Sequence, residues 1–400
     1  MSNTERRERI KYALGEAGMA AVICALPTQV FLLSGYWPVV GTALAIATRH
    51  NEIIVVAPED EKEIAQASWA DAVETFRPGS LDALTNAAEA VSVPLARIAK
   101  RLGINGGSVG YESATMFEPA SYAALHLYGA DMVAMIRRAF PSVSLVPADA
   151  MLARLRAVKT SHEVNAIRRA CRISECAFSQ GASQLRPGMT ELDAADLFRG
   201  VLSTAITNFP DVERADGYIF CMSGPNSALA SGAYARSRTR RIVAGDLVLV
   251  HCNSYADGYW TDITRTYSCG EPDSRTKAIR DAIFAAREAA LRAIAPGAAA
   301  ADVDHAAREV LQERGFGPQF KHSTGHGVGF AAIDDNAQPR LHPASRDIIQ
   351  TGMVFNVEPA IYINNFGGVR HCDMVAITKT GTELLTNFQC RPEDLVLRDG

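Results

Sequence analysis

The chain has 400 residues, 48% hydrophobic and 21% charged, with a formal net charge of −4. That length exceeds the roughly 250 residues one core ordinarily fills, so two domains are expected. The faintly acidic balance argues against nucleic acid or an anionic membrane surface as partner. No uncharged apolar run reaches the ~18 residues needed to span a bilayer.

The start, Met1-Ser-Asn-Thr-Glu-Arg-Arg7, has no apolar signal-peptide core behind it, as expected of a cytoplasmic protein. Arg6–Gly15 reads as a charged amphipathic helix and Ala20–Ala25 as a short strand. Leu44–Ala47 and Ile53–Ala57 are β-rich runs with His50-Asn51 turning between them. Ser80–Leu102 has helical periodicity, and Ser108–Glu112 reads as another strand. This alternation predicts an α/β layer domain over residues 1–157. The eight cysteines show no CxxC spacing and read mostly as small buried hydrophobes.

Near residue 158 the pattern changes. Thr160-Ser-His-Glu163 fits a capping box, opening a helix that runs to about Leu185 and stops at Pro187-Gly188. A second helix starts from Thr190. Leu185-Arg-Pro-Gly-Met-Thr-Glu-Leu-Asp-Ala-Ala195 is then echoed by Ile294-Ala-Pro-Gly-Ala-Ala-Ala-Ala-Asp302. Long helix, Pro-Gly break, shorter helix and strand pair occur twice. The pattern predicts an α+β domain over residues 158–400 made of two half-domains about an internal pseudo-two-fold, with a site at the seam. The basic run Arg236-Ser-Arg-Thr-Arg-Arg241 reads as a solvated loop; the alternative is an arginine that grips a substrate carboxylate.

Four segments carry chemistry. In Leu247–Thr266, Asp257-Gly258 is a hairpin-turn signal. Centring the turn there sets Asn253 opposite Asp262 and His251 opposite Thr264, with His251 and Asp262 diagonal neighbours on one face. Gly325-His-Gly-Val-Gly329 leaves room around His326 for backbone or ligand. Gly352-Met-Val-Phe-Asn-Val-Glu-Pro-Ala-Ile-Tyr362 is a strand carrying Glu358. A turn about Asn365 would set Glu358 opposite Cys372 in Val369-Arg-His-Cys-Asp373.

In this order the segments resemble the catalytic domain of pita-bread hydrolases, the superfamily of creatinase, prolidase and aminopeptidase P. The first domain is similar to the N-terminal domain of the same proteins. The resemblance implies a homodimer acting on a small-molecule substrate, and a dinuclear centre of two aspartates, one histidine and two glutamates. Asp262, His326 and Glu358 match that set. His251 stands in place of the first aspartate and Cys372 in place of the last glutamate. No histidine follows Gly224-Pro-Asn226, and Ile333 replaces a second substrate histidine.

Two carboxylates, at most one thiolate and two neutral imidazoles hold two hard cations poorly. The remaining set suits one divalent ion, with zinc favoured over manganese or magnesium, on Asp262, His326 and Glu358, with Cys372 or His251 as a fourth ligand. A metal-free site is the alternative, in which His251 or His326 serves as base and Glu358 steers the substrate. A third option makes Cys372 a nucleophile. Arg370 and Ser231 are candidate substrate-binding residues. The expected activity is hydrolysis of an amide or amidine C–N bond in an amino-acid-like molecule. The alternatives are an Xaa-Pro aminopeptidase or dipeptidase, and a non-catalytic binding protein on the same fold.

Overall fold

Asn3 accepts a hydrogen bond from the main-chain N–H of Arg6 at 3.1 Å and so starts α1 (Thr4–Glu16). This computed structural model describes residues 3–39, 43–77, 79, 81–82, 84–113, 129–232, 236–334 and 337–397. The chain divides into two units, Met1–Arg156 and Ala157–Gly400.

In the first unit α1 is followed by β1 (Met19–Cys24), α2 (Pro27–Ser34), β2 (Leu44–Thr48), β3 (Ile53–Pro58), α3 (Lys62–Gln66) and β4 (Ala72–Phe76). Then come α4 (Ala87–Leu102), β5 (Ser108–Tyr111), α5 (Ala130–Ala139), β6 (Ser144–Pro147) and α6 (Asp149–Ala157). The six strands form one sheet in the order β4-β3-β2-β1-β5-β6. β1, β2 and β3 pair antiparallel, and the outer strands pair parallel. Ile23, Ile46 and Ile54 of the sheet pack with Leu95 and Ile136 of the helices.

The helix expected from Ser80 begins instead at Ala87; Ser80 itself lies outside the described residues. Leu81 and Leu84, which extend the helical periodicity, are fully exposed among the described residues. The Asn86 side chain accepts from Glu89 N–H at 2.9 Å, which fixes the start there.

The second unit opens with the Thr160–Glu163 capping box and α7 (Ser161–Gln184), then α8 (Glu191–Ser203). β7 (Ala215–Ser223), β8 (Leu247–Ala256), β9 (Tyr259–Trp260) and β10 (Ile263–Cys269) follow, then α9 (Ser274–Ala293) and α10 (Ala300–Glu313). The chain ends with β11 (Val354–Val357), β12 (Ala360–Ile363), β13 (Gly367–Arg370), β14 (Asp373–Thr378), β15 (Gly381–Leu384) and β16 (Val396–Leu397).

The repeat extends to single hydrogen bonds. Gly188 and Gly297 both follow a long helix with φ near +90°. Gly188 N–H donates to Ile242 O at 2.8 Å, and Gly297 N–H to Ile349 O at 2.8 Å. Each isoleucine N–H donates back at 2.9 Å, to Met189 O and to Ala298 O. In the run Arg236–Arg241, Arg240 pairs its two terminal guanidinium nitrogens with Asp246, at 2.6 and 2.9 Å.

The two halves meet where Cys372 N–H donates to Thr264 O at 3.0 Å, bridging β10 to the chain entering β14. Next to this bridge Arg265 is fully buried and donates to Cys372 O at 2.7 Å and to Asp373 Oδ1 at 2.8 Å. Arg287 of α9 reaches the other Asp373 oxygen at 2.5 Å. Removing one member of such a cluster leaves buried charge uncompensated and costs about 3–5 kcal/mol. Asp373→Ala is therefore predicted to lower unfolding free energy by about that amount, measured by urea titration; a loss under about 1 kcal/mol would contradict the role given to this cluster.

Candidate active site

Asp257 and Gly258 both adopt positive φ, 49° and 87°, and make the tight turn that sets the β8–β9–β10 register. Thr264 lies opposite His251 and Ile263 opposite Cys252, the pairing read from the turn. Since alternate residues share a face, His251 and Asp262 come together, Nε2 to Oδ1 at 3.1 Å. Burial pushes Asp262 up, but His251 and His326 outweigh it and hold the carboxyl well below the ordinary range. Burial lowers His251, with Arg370 adding to the effect against the pull of Asp262. His251 is thus a neutral ring donating from Nε2, with Nδ1 as its basic nitrogen.

The glycines beside His326 are sterically required. A Cβ on Gly325 would lie 2.0 Å from Asn356 O, and one on Gly327 2.1 Å from Ala337 O. Between these close-packed backbones His326 Nδ1 faces Gly327 O at 2.9 Å, so Nδ1 carries the proton. Nε2 then looks toward Asp262 Oδ2 at 3.4 Å and Glu358 Oε1 at 3.7 Å. Burial disfavours a second proton on the ring, yet Asp262 and Glu358 outweigh it and lift His326 to about 9. Against this, Asn356 Nδ2 directs an N–H at Nε2 from 3.1 Å, a contact that requires the neutral ring.

Glu358 follows β11, and its position opposite Cys372 continues the register of both neighbouring strand pairs. Val357 faces Asp373 on one side and Ala360 faces Arg370 on the other. Burial raises Glu358 to about 7, with Asp262 adding and Arg370 and His326 opposing. The Cys372 thiol donates to Asp262 O at 3.1 Å, with Asp262 Oδ1 farther off at 3.9 Å. Burial, with Asp262 and Glu358 adding, holds it well above the ordinary thiol range. Arg370 donates from Nε to Thr264 Oγ1 at 3.0 Å, and its Nη1 lies 3.9 Å from Glu358 Oε2. Its Nη2 is buried and, among the described residues, has no hydrogen-bond acceptor.

The structure thus gathers His251, Asp262, His326, Glu358, Cys372 and Arg370. Ser231 ends the 3-10 segment Gly224–Ser231 and, among the described residues, has no hydrogen bond to that group. Ser227 of the same segment instead accepts from Gly368 N–H at 2.8 Å. Three site residues escaped the sequence reading: Asn356, His322 and Tyr362. His322 Nδ1 faces Ser323 O at 2.8 Å, and Nε2 accepts from Tyr362 Oη at 3.0 Å. Burial, aided by Arg370, lowers His322 to about 4, so it is neutral. Its spacing of four from His326 was a usable signal.

Asp262 Oδ2, His326 Nε2 and Glu358 Oε1 are suitable donors for one divalent ion. A second ion would meet a protonated thiol, the Asn356 N–H and the Arg370 guanidinium, and these residues do not fit it. Elsewhere, donor atoms of His371, Asp373 and Cys390 lie within 4.8 Å of one another. Both Asp373 oxygens there are already taken by Arg265 and Arg287.

The model of Metallopeptidase family M24 matches residues 165–379, and that of the Creatinase/Prolidase N-terminal domain matches residues 6–158. An Xaa-Pro dipeptidase of Pyrococcus furiosus is 28% identical over 96% of this chain and 98% of its own. The probable dipeptidase PepE of Mycobacterium tuberculosis is 32% identical over 70% and 74%. A dipeptidase crystal structure from Pyrococcus horikoshii OT3 superposes with a TM-score of 0.78 at 26% identity, covering 98% of this chain and 99% of that one. The likeness spans both units, and the second has the pita-bread fold.

Because the main-chain approach at Gly325 holds both His326 and Asn356, Gly325→Ala is predicted to cost about 1–3 kcal/mol, typical of overpacking. It should also displace His326, read as a lower thermal midpoint together with lost turnover. An unchanged midpoint would show that the approach is not tight.

Proposed function

The chain belongs to Metallopeptidase family M24 and is a hydrolase of the creatinase, prolidase and aminopeptidase P type, and on that premise we propose that it cleaves an amide or amidine C–N bond of a small amino-acid-like molecule at a one-cation centre. One observation carries this reading. Asp262 divides its two oxygens between two histidines, Oδ1 to His251 at 3.1 Å and Oδ2 toward His326 at 3.4 Å. Only Oδ2 is left for a cation, and the bond to His251 makes a base.

In this reading Asp262, His326 and Glu358 hold a divalent ion, with zinc the natural choice for a donor set containing imidazole. Bound there, such an ion polarises the scissile carbon and makes water more acidic. His251 takes the water proton on Nδ1 while Asp262 orients the ring and steadies the resulting imidazolium. Arg370 Nη2, buried without an acceptor among the described residues, binds an oxygen of the substrate. In this reading Cys372 is not a ligand, and its thiol is held instead by the hydrogen bond to Asp262 O. The working unit is taken as a cytoplasmic homodimer, which the resemblance to creatinase and prolidase supports. Among the described residues no helix is long and apolar enough to cross a membrane.

The Asn356 N–H aimed at His326 Nε2 favours a second reading, metal-free, with His251 still the base. Plasma mass spectrometry on protein purified without chelators separates the two. The expected result is about one zinc per chain, retained in Cys372→Ala but lost in Glu358→Ala together with turnover. An active protein without metal moves the assignment to the metal-free reading. Two ions per chain with brisk Xaa-Pro dipeptide cleavage would replace both with ordinary peptidase chemistry.

A further inference from the structure

The sheet face that carries His251 continues past the catalytic residues. Phe220 of β7 pairs with His251, Tyr218 with Asn253, and Trp260 of β9 with Tyr255. Directly opposite residues share a face, as do alternate residues along one strand. Phe220, Tyr218, Tyr255 and Trp260 therefore all stand on the side of His251 and Asp262. Inward from His251 the same face is closed, since Leu249 is fully buried in the apolar core. Outward it opens, through half-buried Phe220, Tyr255 and Trp260 to Tyr218, which is 61% exposed.

The rings keep a fixed relation to the site. The Phe220 ring centroid lies 6.4 Å from that of the His251 imidazole. Tyr218 and Trp260 are nearly parallel across β8, with 9° between their planes and centroids 6.3 Å apart. Trp260 also meets Tyr255 at 4.9 Å, and its main-chain N–H donates to Gly329 O at 2.7 Å. That bond ties the rings to the segment Gly325–Gly329, which carries His326. On β8 Asn253 is buried, and its Nδ2 has, among the described residues, no hydrogen-bond partner. Leaving such an amide unpaired costs stability, and it stands only two residues from His251. An apolar, ring-lined surface with one unspent polar group, continuous with the catalytic residues, is how a site recognises a small molecule.

We propose that these rings form the subsite for an aromatic side chain of the substrate, and that the Asn253 amide hydrogen-bonds a polar atom next to that side chain. The proposal rests on reading the centre as a hydrolase site for a small amino-acid-like molecule, and narrows that class to molecules bearing a ring. Full-length wild type, purified without chelators, is titrated with L-phenylalaninamide and with glycinamide, which share the amide bond and differ in the ring. Ligand-observed NMR gives both dissociation constants and reports any hydrolysis. Phenylalaninamide should bind at least about tenfold more tightly, equivalent to about 1.4 kcal/mol and within what burying an apolar side chain contributes. Tyr218→Ala, a change at an exposed position, should cut that ratio at least about threefold. Asn253→Ala should weaken both probes and leave the ratio standing; unchanged binding there removes Asn253 from the subsite. A ratio near one, no binding of either probe, or a ratio unmoved by Tyr218→Ala overturns the proposal. So does a wild-type dimer that Tyr218→Ala dissociates in sedimentation velocity, since a second copy would then cover the rings. Hydrolysis and the metal count judge the proposed function, whereas the ratio judges the subsite.

Discussion

A single buried carboxylate, Asp373, holds the catalytic half of this protein in register. It lies with no exposed surface between two guanidinium groups, Arg265 from β10 and Arg287 from α9. Burying these charges is costly in isolation and tolerable only because each is paired and hydrogen-bonded. Arg265 also gives hydrogen bonds to the carbonyls of Thr264 and Cys372, the two residues that bridge the halves. Asp262 stands three residues before this arginine, and Cys372 directly before Asp373. Side chains that must meet within a few ångströms are therefore fixed by neighbours that do no chemistry. The seam is held because each of its buried charges is paired and further hydrogen-bonded, Asp373 also by Thr386 and Arg287 also by Glu288.

Around that clamp the site is poor in negative charge. Asp262 is firmly ionised, Glu358 is lifted toward neutrality by burial, Cys372 keeps its proton, and Arg370 adds a positive charge. Histidine at 251 and cysteine at 372 thus bear on more than a ligand count: His251 is held by Asp262, and the Cys372 thiol bonds a main-chain carbonyl.

Much of this was legible in the order of residues. Asp257-Gly258 alone predicted the pairing of His251 with Thr264, since a two-residue turn with positive φ permits little else. The Glu358–Cys372 alignment followed from a turn about Asn365, and the internal repeat from two Pro-Gly breaks. Asn356 was missed because a lone polar residue between Phe355 and Val357 looks like ordinary strand; its shared face with Glu358 was the available clue. The start of α4 was misplaced because Leu81 and Leu84 imitate a buried stripe, and periodicity cannot reveal whether anything lies opposite. The orientation of the Cys372 thiol could not be read at all, since it depends on a carbonyl 110 residues away.

Consider finally the hairpin that carries Glu358 outward and Cys372 back. Its two strand pairs, β11 with β14 and β12 with β13, keep one continuous register across the break at Pro359. The tip near Asn365 is therefore a counting device as well as a loop. An insertion of one residue on one arm would invert that arm's inward and outward sides, sending a catalytic group into the apolar core. Changes that come in pairs preserve the parity. Length is therefore fixed along each arm, and variation is confined to the tip beyond the pair of Ile363 with Gly367.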